Sequence, residues 1–141
     1  MWSAETVLVC ALTLLHRSAD SFPPIEFVDA RPAYVSANTE GFVMPGEHRI
    51  YLVISSPQFR RARRAMYRCG EFDALRKIAS VLIHEEWHLR NGPDEKGAYV
   101  AQLALLAYLD AGPGTALFNE VRRSMEAATR KGRGKDAVDE D

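Results

Sequence analysis

The sequence predicts an α+β fold, with a small mixed sheet in the first half of the chain and helices in the second. Three observations lead there. Arg49-Ile50-Tyr51-Leu52-Val53-Ile54-Ser55 is rich in β-branched and aromatic residues, as a strand is. Phe72, Leu75, Ile78, Ala79, Leu82 and Ile83 recur at helical spacing instead. The 141 residues are 47% hydrophobic and 26% charged, the composition of one ordinary globular domain with a core large enough to need no disulfide staples. That domain is expected to occupy residues 1–129, with 130–141 as a disordered charged tail.

The elements follow in chain order. Val7, Leu8, Ala11, Leu12 and Leu15 form an apolar stripe, predicting a helix from near Ser3 to near Ser18. The run Val7–Leu15 resembles the apolar part of a signal peptide, but no basic residue precedes it and Glu5 stands just before it. A buried core helix and a cytoplasmic protein are therefore expected, with export as the alternative. Nine residues are also too few to span a bilayer. After Pro23-Pro24, Ile25 to Asp29 alternates apolar and acidic residues as a half-buried strand does. Tyr34-Val35 and Phe42-Val43-Met44 are short strand candidates among turn signals at Asn38 and Gly41. The strand over Arg49 to Ser55 should have its hairpin partner just before it.

Pro57 suits the first turn of a short helix running to Tyr67 and closed by Gly70. The long helix from Glu71 to Arg90 ends at Asn91-Gly92. A further helix opens at Pro93, carries Ala98, Ala101, Leu105 and Leu109 along one stripe and closes at Gly112-Pro113-Gly114. A last helix is expected from Thr115 to Ala128. Beyond it, Lys131 to Asp141 has too little apolar surface to bury.

Eighteen basic residues nearly balance nineteen acidic ones, so no overall field favours nucleic acid or an anionic membrane, and neither is expected as a partner. Nothing in the sequence sets the oligomeric state. Cys10 and Cys69 follow no metal-binding spacing and are read as two buried free thiols, a single disulfide being the alternative.

The chemistry concentrates in His84-Glu85-Glu86-Trp87-His88. Each helical residue advances about 100°, so His84 and His88 lie about 40° apart on one face, and both imidazoles can reach one ion. Glu85 sits about 60° from His88, close enough to flank the ion without ligating it, which is what a general base requires. A zinc held by three protein ligands keeps a fourth position for water, lowers that water's pKa to about 7 and polarises a carbonyl. The third ligand must come from elsewhere, and the turn Arg90-Asn91-Gly92-Pro93 brings Asp94 and Glu95 back within reach. Glu95 is the first choice, because Gly97, Ala98 and Ala101 would let its helix approach closely. Asp94 is the rival: it lies six residues after His88, the metzincin interval, although Asn91 stands where that pattern has glycine.

His84-Glu85-Glu86-Trp87-His88, followed by Glu95-Lys96-Gly97-Ala98-Tyr99, resembles a small gluzincin-type zinc metallopeptidase of minigluzincin size. The resemblance extends from about Ile25 to Leu109 through the order of elements, although the interval from His88 to Glu95 is shorter than in larger gluzincins. It implies a zincin-like domain whose edge strand packs on a metal-binding helix followed by a glutamate helix. His84 and His88 match the histidine ligands, Glu85 the base and Glu95 the glutamate ligand. The strand Arg49 to Ser55 would be the edge beside the cleft, pairing antiparallel with a peptide or protein substrate. Tyr99, Tyr51 and His48 are candidates to stabilise an oxyanion.

Other features have plainer readings. Glu86 is expected to be a solvated or hydrogen-bonded bystander, Trp87 a packing residue, and His16 and His48 ordinary histidines. Arg60, Arg61, Arg63 and Arg64 read as a solvated helix face, with an acidic or phosphate-bearing partner as the alternative. The alternatives to a peptidase are a non-catalytic metal-stabilised interaction domain and a latent, self-inhibited peptidase.

Overall fold

A computed structural model describes the backbone of residues 1–139 and the side chains as far as Lys131. Among the described residues the architecture is α+β, with five α-helices and one three-stranded mixed sheet. Helix α1 (Ala4–Leu14) starts where the Ser3 hydroxyl accepts a hydrogen bond from the Thr6 N–H, satisfying one of the donors a helix start leaves free. It buries Val7, Ala11 and Leu12 of the expected stripe together with Ala4 and Cys10, leaves Leu8 and Leu15 half-buried, and ends earlier than the expected Ser18. No helix among the described residues is long and apolar enough to cross a membrane.

The strands are β1 (Ile25–Val28), β2 (Gly41–Phe42) and β3 (Ile50–Val53), in the order β1-β3-β2. The β1–β3 pair is parallel and the β2–β3 pair antiparallel, so β3 does have a hairpin partner just before it. It is not, however, the edge strand. With Ile50 and Val53 at 0% exposure and Leu52 at 2%, β3 is the buried centre of the sheet, and its nearly unbroken apolar run is the mark of a strand covered on both sides. The open edge beside the cleft is β2. Its backbone lies directly on the long helix because position 41 has no side chain: a Cβ there would come within 2.8 Å of Val81 Cγ1.

Helix α2 (Pro57–Arg63) begins at Pro57, ends before Tyr67 and buries Phe59 and Ala62. Helix α3 (Phe72–Asn91) is the spine of the domain, packing Leu75, Ile78, Ala79 and Leu82 into a core shared with α1, α2 and the sheet. Helix α4 (Glu95–Tyr108) crosses α3 at close range, as the small residues on α4 predict. A Cβ on Gly97 would stand 2.3 Å from the Trp87 ring. Gly97→Ala is therefore expected to push the helices apart and destabilise the fold by about 1–3 kcal/mol, the usual range for overpacking, measured as a shift in denaturation midpoint.

Helix α5 (Ala116–Asp139) packs through Val121 against Leu103 and Leu106 of α4. Its backbone continues past Ala128, the end expected from the sequence: no proline interrupts the stretch, and lysine, arginine and alanine favour a helix enough to carry it through Gly132 and Gly134. Of the expected disordered tail at 130–141, the backbone to Asp139 thus belongs to α5, while residues 140 and 141 lie outside the described residues.

The cysteines also depart from expectation. Cys10 of α1 and Cys69 of the α2–α3 loop form a disulfide, with their Cα atoms 5.5 Å apart, rather than remaining free. The packing of α1 against α2 and α3 makes neighbours of residues 59 positions apart, which no local spacing announces. Closing a loop of that length is worth about 4 kcal/mol in the chain-entropy account.

Candidate metal centre

Helix α3 presents Val81, His84, Glu85 and His88 to a cleft of about 1580 Å³, whose other walls come from the 31–47 segment, the start of α2 at Pro57 and Gln58, α4 and α5. Glu86 points elsewhere. Buried to 5% exposure, it accepts hydrogen bonds from Arg17 at 2.9 and 3.4 Å and from Arg90 at 3.4 Å, tying the end of α1 to α3. It takes the hydrogen-bonded of its two expected roles.

Helix α3 stops at Gly92, whose φ of 93° and ψ of −164° are open to glycine and strained for other residues. The chain then reverses, and the Asp94 carboxylate caps α4 by accepting from the Lys96 N–H at 3.2 Å. Asp94 is thereby engaged, and Glu95 is the acid that reaches the histidines. Its Oε1 lies 3.2 Å from His84 Nε2 and in direct contact with His88 Nε2. The donor atoms of His84, His88 and Glu95 all fall within 4.8 Å of one another.

Whether this trio suits a metal depends on where the imidazole protons sit. Ser80 donates to the Lys77 carbonyl at 2.7 Å and accepts from Gln102 Nε2 at 3.0 Å. The Gln102 amide must therefore turn its Oε1 toward His84 Nδ1, 2.8 Å away, and that nitrogen must be the donor. On His88 the Nδ1–H donates to the Gly92 carbonyl at 2.8 Å. Each ring is thus held by its Nδ1, the outer-sphere arrangement that metal-ligating histidines use, and turns its Nε2 toward the Glu95 carboxylate; in the metal-free protein the His88 Nε2–H donates there, and loss of that proton frees a ligand lone pair. Tetrahedral ligands on an ion of zinc's size stand about 3.3 Å apart; the 3.2 Å between His84 Nε2 and Glu95 Oε1 is close to that, whereas His88 Nε2 and Glu95 Oε1 are in hydrogen-bond contact and must draw apart for an ion to enter. The donor set fits a divalent ion.

Gln102, Ser80 and the Gly92 carbonyl were not foreseen. Gln102 left one usable signal, as an amide on an apolar helix, seven residues after Glu95 and so on the same face.

Glu85 lies beside the trio, not in it. Its carboxylate is 3.9 Å from His84 Nε2, is 7% exposed as a residue and makes no hydrogen bond among the described residues. Burial pushes its pKa up to about 7, against the opposing pull of His84 and His88. Such a carboxylate can take up or release a proton near neutrality. Of the three oxyanion candidates, only Tyr99 is at the site, its ring 4.5 Å from that of His84 in an edge-on arrangement. Burial, then Glu95, Glu85 and Glu40, raise the Tyr99 hydroxyl to about 12, so it stays protonated as a donor. The Tyr51 hydroxyl is committed to Glu47 at 2.8 Å, and His48 lines a separate cavity of about 350 Å³ with Arg17 and Glu86.

The metal-free pair has a definite pH signature. Desolvation opposes the His88 imidazolium, but the hydrogen bonds to Glu95 and to the Gly92 carbonyl outweigh it and raise His88 to about 9. Desolvation likewise opposes the Glu95 carboxylate, and hydrogen bonds from His84 and His88 overcome it, lowering Glu95 to about 2. The His88 contribution to folding stability is complete below its ordinary 6.5 and is lost as pH rises through about 9. The Glu95 contribution is complete above 4.5 and is lost as pH falls through about 2. A metal must displace the His88 proton. Its affinity is expected to fall roughly tenfold for each pH unit below about 9, as calorimetric titrations at several pH values would record.

No protein-family model, curated protein or solved structure matches the chain.

Proposed function

We propose that the protein is a zinc-dependent metallopeptidase in which His84, His88 and Glu95 hold the ion and Glu85 is the general base. The observation that carries this reading is the division of labour among four neighbouring side chains. Three turn their donor atoms toward one point, while the fourth, a buried carboxylate raised to about 7, stands beside them uncommitted. A purely structural ion has no need of such a carboxylate. Zinc held there supplies Lewis acidity, both for polarising a carbonyl and for acidifying water. Glu85 then accepts the proton and passes it to the leaving amine, and Tyr99 donates to the oxygen on which charge develops. The resemblance to gluzincins noted from the sequence points the same way and supports a zincin-like description of the domain.

A peptide substrate suits the open edge of β2. Val53 N–H donates to the Glu40 carbonyl at 2.9 Å, and Gly41 is the next residue, opposite Leu52. Gly41 therefore occupies a non-hydrogen-bonded position whose N–H and C=O turn away from β3. An extended peptide pairing there would lie beside Glu85, whose Cγ is 3.5 Å from where a Gly41 Cβ would stand. The disulfide favours an oxidising compartment over the cytoplasm.

The test is a peptide library incubated with zinc-loaded protein and read by mass spectrometry. Cleavage that a chelator stops and zinc restores is expected. Should stoichiometric zinc be bound and no peptide cut, the active-peptidase reading fails, leaving a metal-stabilised, non-catalytic domain or a latent, self-inhibited peptidase.

A further inference from the structure

We infer that the segment from Arg60 to Phe72 docks the protein onto an anionic lipid surface. This rests on residues remote from the candidate metal centre and is independent of the peptidase reading. The balanced net charge of the chain hides a strong local imbalance, since residues 57–70 contain five arginines and no acidic residue. Arg60, Arg61, Arg64 and Arg68 are exposed, and none of them forms an ion pair among the described residues. Arg60 and Arg64 stand one helical turn apart, on the side of α2 away from its buried Phe59 and Ala62.

Beside these cations the loop leading into α3 displays apolar side chains to solvent. Met66 is 95% exposed, Tyr67 62% and Phe72 57%. The display is built in rather than loose. Trp2 Nε1 donates to the Ala65 carbonyl at 3.0 Å, the Gly70 N–H donates to the Tyr67 carbonyl at 3.0 Å, and the disulfide anchors Cys69 to α1. A braced loop loses little conformational freedom on docking, so most of what it gains in contact is kept as affinity.

Unpaired arginines around exposed methionine and aromatic side chains match the two layers of a membrane interface, anionic headgroups above and acyl chains beneath. Nucleic acid fits less well. Tyr67 and Phe72 could stack on bases, but Met66, the most exposed apolar side chain of the segment, offers them no such face, whereas an acyl layer takes all three. The α3 axis separates Phe72 from His84 by about 18 Å, so the metal-binding and lipid-facing groups belong to opposite ends of that helix.

The test is co-sedimentation of the full chain with vesicles of phosphatidylcholine alone or mixed with phosphatidylglycerol. Binding is expected only to the mixed vesicles and should weaken as salt is raised. Met66→Asp should reduce it about tenfold, and Arg60→Glu with Arg61→Glu and Arg64→Glu should abolish it. Both variants should keep the wild-type melting temperature and far-ultraviolet circular dichroism, which separates lost docking from lost folding. The inference is overturned if the mixed vesicles are not bound, if binding is indifferent to these substitutions, or if single-stranded DNA is bound instead and Met66→Asp leaves that unchanged.

Discussion

Glu85→Gln is expected to leave zinc bound while lowering kcat for peptide hydrolysis by about 10²- to 10⁴-fold, the usual contribution of a positioned acid–base group. The substitution preserves size and keeps a polar group in a buried position where the wild-type carboxylate makes no hydrogen bond among the described residues. What disappears is the ability to accept a proton. Zinc content measured beside the rate separates the two roles, because a ligand's loss would remove the metal as well. The pH profile adds a second signature. Burial holds Glu85 at about 7 in the metal-free protein, and a nearby cation favours its ionised form. The acid limb of kcat/KM should therefore lie at or below about 7 and be absent from the residual activity of Glu85→Gln.

The second large effect concerns the ligands. His88→Ala should weaken zinc binding by at least about a hundredfold, since removing an inner ligand costs more than the 10- to 100-fold typical of an outer-sphere partner. His84→Ala should do the same. Gln102→Leu is expected to fall in that milder range: it keeps all three ligands but frees the His84 ring to present either nitrogen. Melting temperatures in the presence and absence of zinc give an independent measure. Zinc should raise the wild-type value, because binding to the folded state alone adds stability by mass action, and the rise should be nearly absent in His88→Ala.

How much of this was legible in advance depended on whether the cause was local. The helix spacing of His84 and His88, the helix start at Ser3 and the small face of α4 follow from neighbours in sequence. Glu95 was legible for the same reason, the turn at Gly92-Pro93 being short enough to fix where the next helix begins. Asp94 was harder to judge: its cap to Lys96 is a local preference, yet the same carboxylate could equally have served a metal. The position of β3 was misread because an apolar run says that a strand is buried without saying which neighbours cover it. The Cys10–Cys69 bond and the Arg17–Glu86 contact join distant segments, so neither has a local signature. Gln102 lies between these cases. Its register with Glu95 could be counted, but the Ser80 hydroxyl that turns its amide toward His84 belongs to another helix.

A crystal of the zinc-loaded protein, with the ion located by anomalous scattering, would reveal the donor set itself. One zinc is expected, bound by the Nε2 atoms of His84 and His88 and by the Glu95 carboxylate, with Glu85 beside it and uncoordinated. Zinc found away from the two histidines, or held there by Asp94 or Glu85 in place of Glu95, would contradict that assignment.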